Sequence, residues 1–374
     1  MSSDSPEPTV SGDQPKRDFP RSASAPTTEA EAPTRSRRRL ALWAVLVLAL
    51  VGALYVGLPR IAGLDETWGR LSRGDPWWLA AAVALEAGSY GGYVLLFRGI
   101  FAGPGSPLDW RASYQITMAG VAATRVFAAA GAGGIALTAW ALSRSGMGRR
   151  ELVRGLTTFY VALYSVYMVA LAVGGVGLRT GALHGPAPLG MTLVPAAFGG
   201  FIMAGALVTA LLPRDLDSRV RRRVDRHARL ARWAGALAAA AAAVAEGVRG
   251  AIGLVRSRNP AILGAVAWWA FDIAVLWACF QAFGEPPQLA VIVMAYFIGM
   301  LGNLLPLPGG VGGVEGGMIG AFLAFDVTGG LAVVAVLTYR AFAFWLPTVP
   351  GLLAYVGLRH TVKEWESSRS PAGP

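Results

Sequence analysis

The chain has 374 residues, of which 54% are hydrophobic and 15% charged, and its mean hydropathy is +0.49. A soluble domain carries about 25% charged residues, so an ordinary water-soluble fold is excluded and a membrane protein is expected. The net charge of +11 comes from cations clustered beside apolar segments, which fits cytoplasmic loops facing anionic lipid and not nucleic-acid binding.

Residues 1–34 are rich in Ser, Pro, Thr and acidic side chains and read as a disordered cytoplasmic tail. The basic cluster RSRRR follows at 35–39, and the apolar run 40–58 predicts a first transmembrane helix that starts in the cytoplasm. Residues 76–100 cross back, with Trp77 and Trp78 at one interface and Arg98 near the other. The stretch 112–142 is apolar but broken by AAAGAGG at 128–134, and Arg111, Arg144, Arg149 and Arg150 flank both sides. That pattern predicts a hairpin entering from the cytoplasm and returning to it. Residues 155–178 cross outward and 189–212 return, which completes a first membrane half over 35–212.

Residues 213–259 are the most basic stretch. The Ala-rich middle at 234–245 is too short to span, so the linker reads as an amphipathic cytoplasmic helix whose Arg219, Arg221, Arg222 and Arg223 bind the anionic inner leaflet. A second membrane half covers 260–360. Residues 261–283 cross outward, a second hairpin near 288–325 is broken by PLPGGVGGVEGG at 306–317, and 329–357 form the last span. A cytoplasmic tail at 361–374 follows Arg359 and His360. The reading is an all-α polytopic protein with about six full spans and two broken re-entrant hairpins, in the plasma membrane of a bacterium, with both termini cytoplasmic.

GAGG at 131–134 recurs as GVGG at 310–313, between flanking spans of opposite direction. Two similar units in opposite orientation make an inverted repeat, and such folds hold substrate near the midplane where helices are broken.

At the second break, Pro306 and Pro308 cannot continue a helix, and Gly309, Gly310, Gly312 and Gly313 permit unwound backbone. A helix restarting there would aim free N–H groups inward and seat a lipid phosphate. Gly131, Gly133 and Gly134 mark the corresponding break in the first hairpin. Glu315, in the first turn after the second break, is either a cap for that helix or a proton or cation site. As a cap it would tolerate glutamine at a cost of about 1 kcal/mol. Glu86, Asp272, Arg125 and Arg340 fall inside apolar segments and must face the protein interior. They read as structural ion pairs, or as phosphate ligands (Arg125, Arg340) and coupling groups (Glu86, Asp272). Tyr90, Tyr93, Tyr160, Tyr164 and Tyr167 recur at helical spacing and read as packing. The lone Cys279 and the scattered His184, His227 and His360 give no metal-ligand spacing, and no cofactor is expected.

The hairpin GNLLPLPGGVGGVEGG, the earlier VFAAAGAGGIALTAWALSRSGM and the basic linker resemble the transmembrane part of lysylphosphatidylglycerol synthase. This flippase-like family includes the membrane half of the multiple peptide resistance factor. The resemblance covers about residues 40–360 and is most specific over Pro306 to Glu315. It implies movement of lipids or lipid-linked sugars between leaflets. The aminoacyl-transfer domain has no counterpart here, so lysyl transfer is not expected. In the first hairpin Phe127 and Ala129 stand where the second has Pro306 and Pro308. Two other readings compete with translocation: a membrane-embedded enzyme acting on polyprenyl-phosphate lipids, and a non-transporting partner of a separate lipid-modifying enzyme.

Overall fold

The computed structural model describes residues 74–103, 105–126, 132–211, 228–305 and 310–369. The expected tail at 1–34, the first span at 40–58, Arg219, Arg221, Arg222 and Arg223, and the break residues Gly131, Pro306, Pro308 and Gly309 lie outside these residues. Among the described residues every regular element is helical and no strand occurs.

In chain order the helices are α1 Pro76–Phe101, α2 Trp110–Val126, α3 Ala132–Arg144, α4 Arg149–Thr180, α5 Leu189–Ala210, α6 Ala228–Arg256, α7 Ala261–Phe283, α8 Leu289–Met300, α9 Gly313–Ala324, α10 Gly329–Arg340 and α11 Thr348–Arg369. A short 3-10 turn, Leu301–Leu304, extends α8, and a π turn, Ala341–Trp345, joins α10 to α11. Local chemistry sets the boundaries. Pro76 opens α1 after Asp75, whose carboxylate accepts from the Trp77 N–H at 2.9 Å. Gly181 closes α4 in the left-handed conformation, with φ 76°.

Among the described residues six stretches are long and apolar enough to cross a membrane: α1, α4, α5, Gly235–Arg256 within α6, α7, and the run Gly329–Ser368 through α10 and α11. The remaining helices are too short, at 17 residues for α2, 13 for α3 and 12 each for α8 and α9. They pair as the hairpins α2–α3 and α8–α9.

Contacts at the helix ends fix where each hairpin opens. Arg98 in the last turn of α1 donates to the Leu108 carbonyl at 3.0 Å and lies over the Trp110 ring. Gly155 near the start of α4 packs on Phe101, Gly99 packs on Ala261 at the start of α7, and Arg144 at the end of α3 pairs with Glu366 of α11. The α2–α3 hairpin therefore opens where α1 ends and α4 and α7 begin. At the other end the Asp75 N–H donates to the Ala282 carbonyl at 3.0 Å, Gly284 packs on Leu331, Gly329 faces Leu323, and Gly185 packs on Val291. The α8–α9 hairpin opens there.

The longest interface joins α1 and α7, which run antiparallel. A Cβ at Gly92 would fall 2.8 Å from the Gly264 carbonyl oxygen. Ser89 donates to the Trp268 carbonyl at 2.9 Å in the same seam. Small residues replace a hydrophobic driving force where lipid is as apolar as leucine, because they let backbones touch.

The Ala-rich 234–245 segment reads as too short to span, yet α6 extends past it on both sides and contains a 22-residue stretch that is long and apolar enough to cross. Alanine is the strongest helix former, so the helix does not stop where hydropathy falls. Its Gly247 and Gly250 are pressed against Thr157 and Thr158 of α4, and Arg249 donates to the Ala210 carbonyl at the end of α5. The last span also continues as helix to Arg369, through the start of the expected tail.

Candidate functional site

Residues beside the breaks of both hairpins, Arg125 and Gly134 in the first and Leu304 and Gly310 in the second, line one cavity of about 680 Å³. Its wall takes residues from both hairpins and from α1, α4, α7 and α10. Glycines let each hairpin close. A Cβ at Gly134 would sit 2.5 Å from the Gly120 carbonyl oxygen, and Gly302 lies against the backbone of Gly313. Gly120 and Gly134 each recur 179 positions on, as Gly299 and Gly313.

At the tip of the second hairpin, Gly310 and Gly312 have φ of 68° and 86°, a left-handed backbone that favours glycine. Gly310 lines the cavity. The Gly312 N–H is already occupied, because Glu315 Oε2 accepts from it at 2.7 Å. Glu315 Oε1 accepts from Arg340 Nε at 2.8 Å, and both side chains are nearly fully buried. Glu315 is thus a cap and an ion-pair partner at once, and it ties the restart of α9 to the end of α10. Gly313 serves packing, Gly134 lines the cavity, and Gly133 is half-buried beside it.

Arg125 ends α2 and reaches across to the π turn. It donates to the carbonyls of Phe344 at 2.6 Å and Ala343 at 2.7 Å, to Thr348 Oγ1 at 3.1 Å and to the Tyr90 hydroxyl at 2.5 Å. The turn explains this set. Pro347 has no N–H to offer the Ala343 carbonyl four residues back, so the guanidinium supplies the missing donor. The guanidinium carbons of Arg125 and Arg340 lie 5.1 Å and 4.6 Å from the centre of the Phe344 ring. Phe344 therefore lies close to both of these cations.

Glu86 and Asp272 meet for a simple reason. With Ser89 bonded to Trp268 across antiparallel helices, the residue one turn before Ser89 faces the residue one turn after Trp268. The two carboxyls are neighbours in the cavity wall, 4% and 7% exposed. Asp272 Oδ2 accepts from the hydroxyls of Tyr296 and Tyr339, the latter at 3.0 Å.

Tyr90, Tyr93, Tyr160, Tyr164 and Tyr167, expected as packing, all line the cavity. Trp268, Trp269, Tyr296, Tyr339 and Phe344 join them and were not picked out by spacing. The signal available was the pair Trp268–Trp269 in the middle of a span beside Asp272. Aromatic belts belong at span ends, so a mid-span pair marks an interior wall. Their rings interlock, as in the Tyr93–Trp268 and Tyr90–Trp268 contacts at 4.5 Å and 5.1 Å between centres.

Chemically, the site offers two cations near a cavity large enough for a headgroup, a rigid aromatic wall, and a buried carboxyl pair. A family model described as the lysylphosphatidylglycerol synthase TM region matches residues 41–351. Proteins of Methanothermobacter thermautotrophicus, each named a UPF0104 membrane protein, are similar over shorter stretches. One is 36% identical over 115 residues, 29% of this chain and 34% of the relative. Another is 34% identical over 89 residues, 24% of this chain and 25% of the relative. The chain thus spans about a third or less of the length of these curated relatives.

Proposed function

The chain belongs to the family of the lysylphosphatidylglycerol synthase transmembrane region, and from that premise we propose that it is a lipid translocase of the flippase type, moving a phospholipid or lipid-linked sugar between leaflets. The observation that carries this reading is the cavity where two oppositely opening hairpins meet. Unwound backbone at membrane depth is tolerated where it is buried in protein or lines a wet cavity. Broken helices facing each other across a pseudo-two-fold axis are the usual plan of alternating-access carriers. The matching glycines 179 positions apart support an inverted repeat.

On this reading the headgroup phosphate enters the field of Arg125 and Arg340 beside the backbone of Gly310, and the aromatic wall takes the sugar or glycerol face. Both arginines are held in place by protein acceptors, so they supply fixed charge without reorganising. Glu86 and Asp272 are the groups through which a proton or cation would couple, whereas Glu315 is held by Arg340 and the Gly312 N–H.

Mass spectrometry of the full-length chain, reconstituted with a total bacterial lipid extract, tests the reading. Bound phospholipid or polyprenyl-phosphate lipid that stays chemically unchanged, and whose retention falls in Arg125→Ala, is expected. A new lipid species would favour the membrane-embedded enzyme. An empty cavity would favour the chain that holds a separate lipid-modifying enzyme.

A further inference from the structure

Among the described residues, the buried side-chain atoms without a hydrogen-bond partner include Glu86 Oε2 and Asp272 Oδ1. They belong to neighbouring carboxyls that together face one cavity. We propose that Glu86 and Asp272 form a single proton-binding site in the cavity wall, with the proton on Glu86 and the charge on Asp272.

The assignment follows from who donates to whom. Asp272 Oδ2 receives two tyrosine O–H bonds, from Tyr296 on α8 and Tyr339 on α10. Two donors on one oxygen stabilise an anion. Glu86 receives none at Oε2 and stands beside that anion. Two adjacent carboxylates in a low-dielectric interior repel strongly, and one bound proton removes the repulsion. The other ionisable groups facing the pair are Tyr90 on α1, Cys279 on α7, Arg125 on α2 and Arg340 on α10. Arg125 is engaged by Tyr90 and the π-turn carbonyls, and Arg340 by Glu315, so each cation has a nearer partner than the pair. Glu315 is the contrasting case. Both of its oxygens are occupied, one by a guanidinium and one by a backbone N–H.

The site straddles α1 and α7, the antiparallel pair at the heart of the bundle, and opens on the space beside Arg125 and Arg340. Entry of an anionic headgroup there would favour the protonated pair, so lipid and proton would bind cooperatively. That coupling rests on the translocase reading; the proton site does not.

Infrared spectroscopy of the full chain in lipid nanodiscs, without added substrate, reads the site. The wild-type protein should show a protonated-carboxyl stretch that shifts in D2O and is lost at high pH. Glu86→Gln should remove it and Glu315→Gln should keep it. Replacing choline chloride by NaCl should leave it unchanged. As a second reading on wild-type protein, dicyclohexylcarbodiimide, which attacks protonated carboxyls in apolar surroundings, should modify Glu86, less so as pH rises, and spare Glu315. Identical spectra for wild type and Glu86→Gln, loss of the band on adding Na+, or an adduct on Glu315 or Asp272 and none on Glu86 would overturn the proposal. If Glu86→Gln fails to fold, the adduct pattern decides alone. Neither measurement follows lipid movement, so the proton site and the translocase reading can fail separately.

Discussion

Glu315 was legible in the sequence as a cap, and Arg340 as an interior cation. Their pairing was not, because they lie 25 positions apart on separate elements and nothing local relates them. The difference changes what a substitution should do. Removing one partner of a buried ion pair costs about 3 kcal/mol or more, because the other charge is left uncompensated; losing a cap alone costs about 1 kcal/mol. Glu315→Gln is therefore expected to destabilise the protein clearly, against the tolerance that a cap alone would predict. The double variant Glu315→Gln with Arg340→Gln is expected to recover part of the loss. Thermal unfolding in a fixed detergent measures both. A loss of about 1 kcal/mol or less in the single variant, with no recovery in the double, would remove the ion pair from this account.

At the level of elements, helix-to-helix contact depends on where glycine faces. Gly91 and Gly92 are consecutive, yet only Gly92 touches α7: a Cβ at Gly91 meets nothing within 4 Å, whereas one at Gly92 lies 2.8 Å from both the Ala267 Cβ and the Gly264 carbonyl oxygen. Gly91→Ala is expected to be neutral or to stabilise by up to about 1 kcal/mol, the helix-propensity difference. Gly92→Ala is expected to destabilise by roughly 1–3 kcal/mol as the two backbones are forced apart. Unfolding midpoints that move the same way in both variants would contradict the α1–α7 seam. Hydropathy could not say which of the two faces inward, since both flanks of α1 are apolar. It also understated the apolar length of α6, which runs past the Ala-rich 234–245 stretch. The breaks were legible for a different reason: Pro and Gly act through local backbone physics that survives any tertiary context. The aromatic cavity wall was not, because tyrosine at helical spacing serves packing and lining equally well until the facing helices are known.

For the whole molecule, composition points to a membrane protein, the apolar runs of the sequence point to helices, and the charge flanks indicate that the two hairpins open in opposite directions. Ser143, near the end of α3, and Asp326, between α9 and α10, are both exposed. In a Cys279→Ala background, single cysteines at these positions are expected to react with an impermeant maleimide from opposite faces of the membrane, Ser143 from the cytoplasm. That replacement removes the one native thiol of the sequence. Reaction of both positions from one face would remove the inverted repeat.

The most direct test is a leaflet assay in proteoliposomes, with purified protein and a reporter lipid whose headgroup is destroyed only when it reaches the outer face. The wild-type protein is expected to move the reporter from the inner leaflet with no chemical change, and Arg125→Ala to move it at least about tenfold more slowly, a barrier difference of about 1.4 kcal/mol. Movement no faster than in protein-free vesicles, or equal in both proteins, would contradict a lipid path through the cavity between the hairpins.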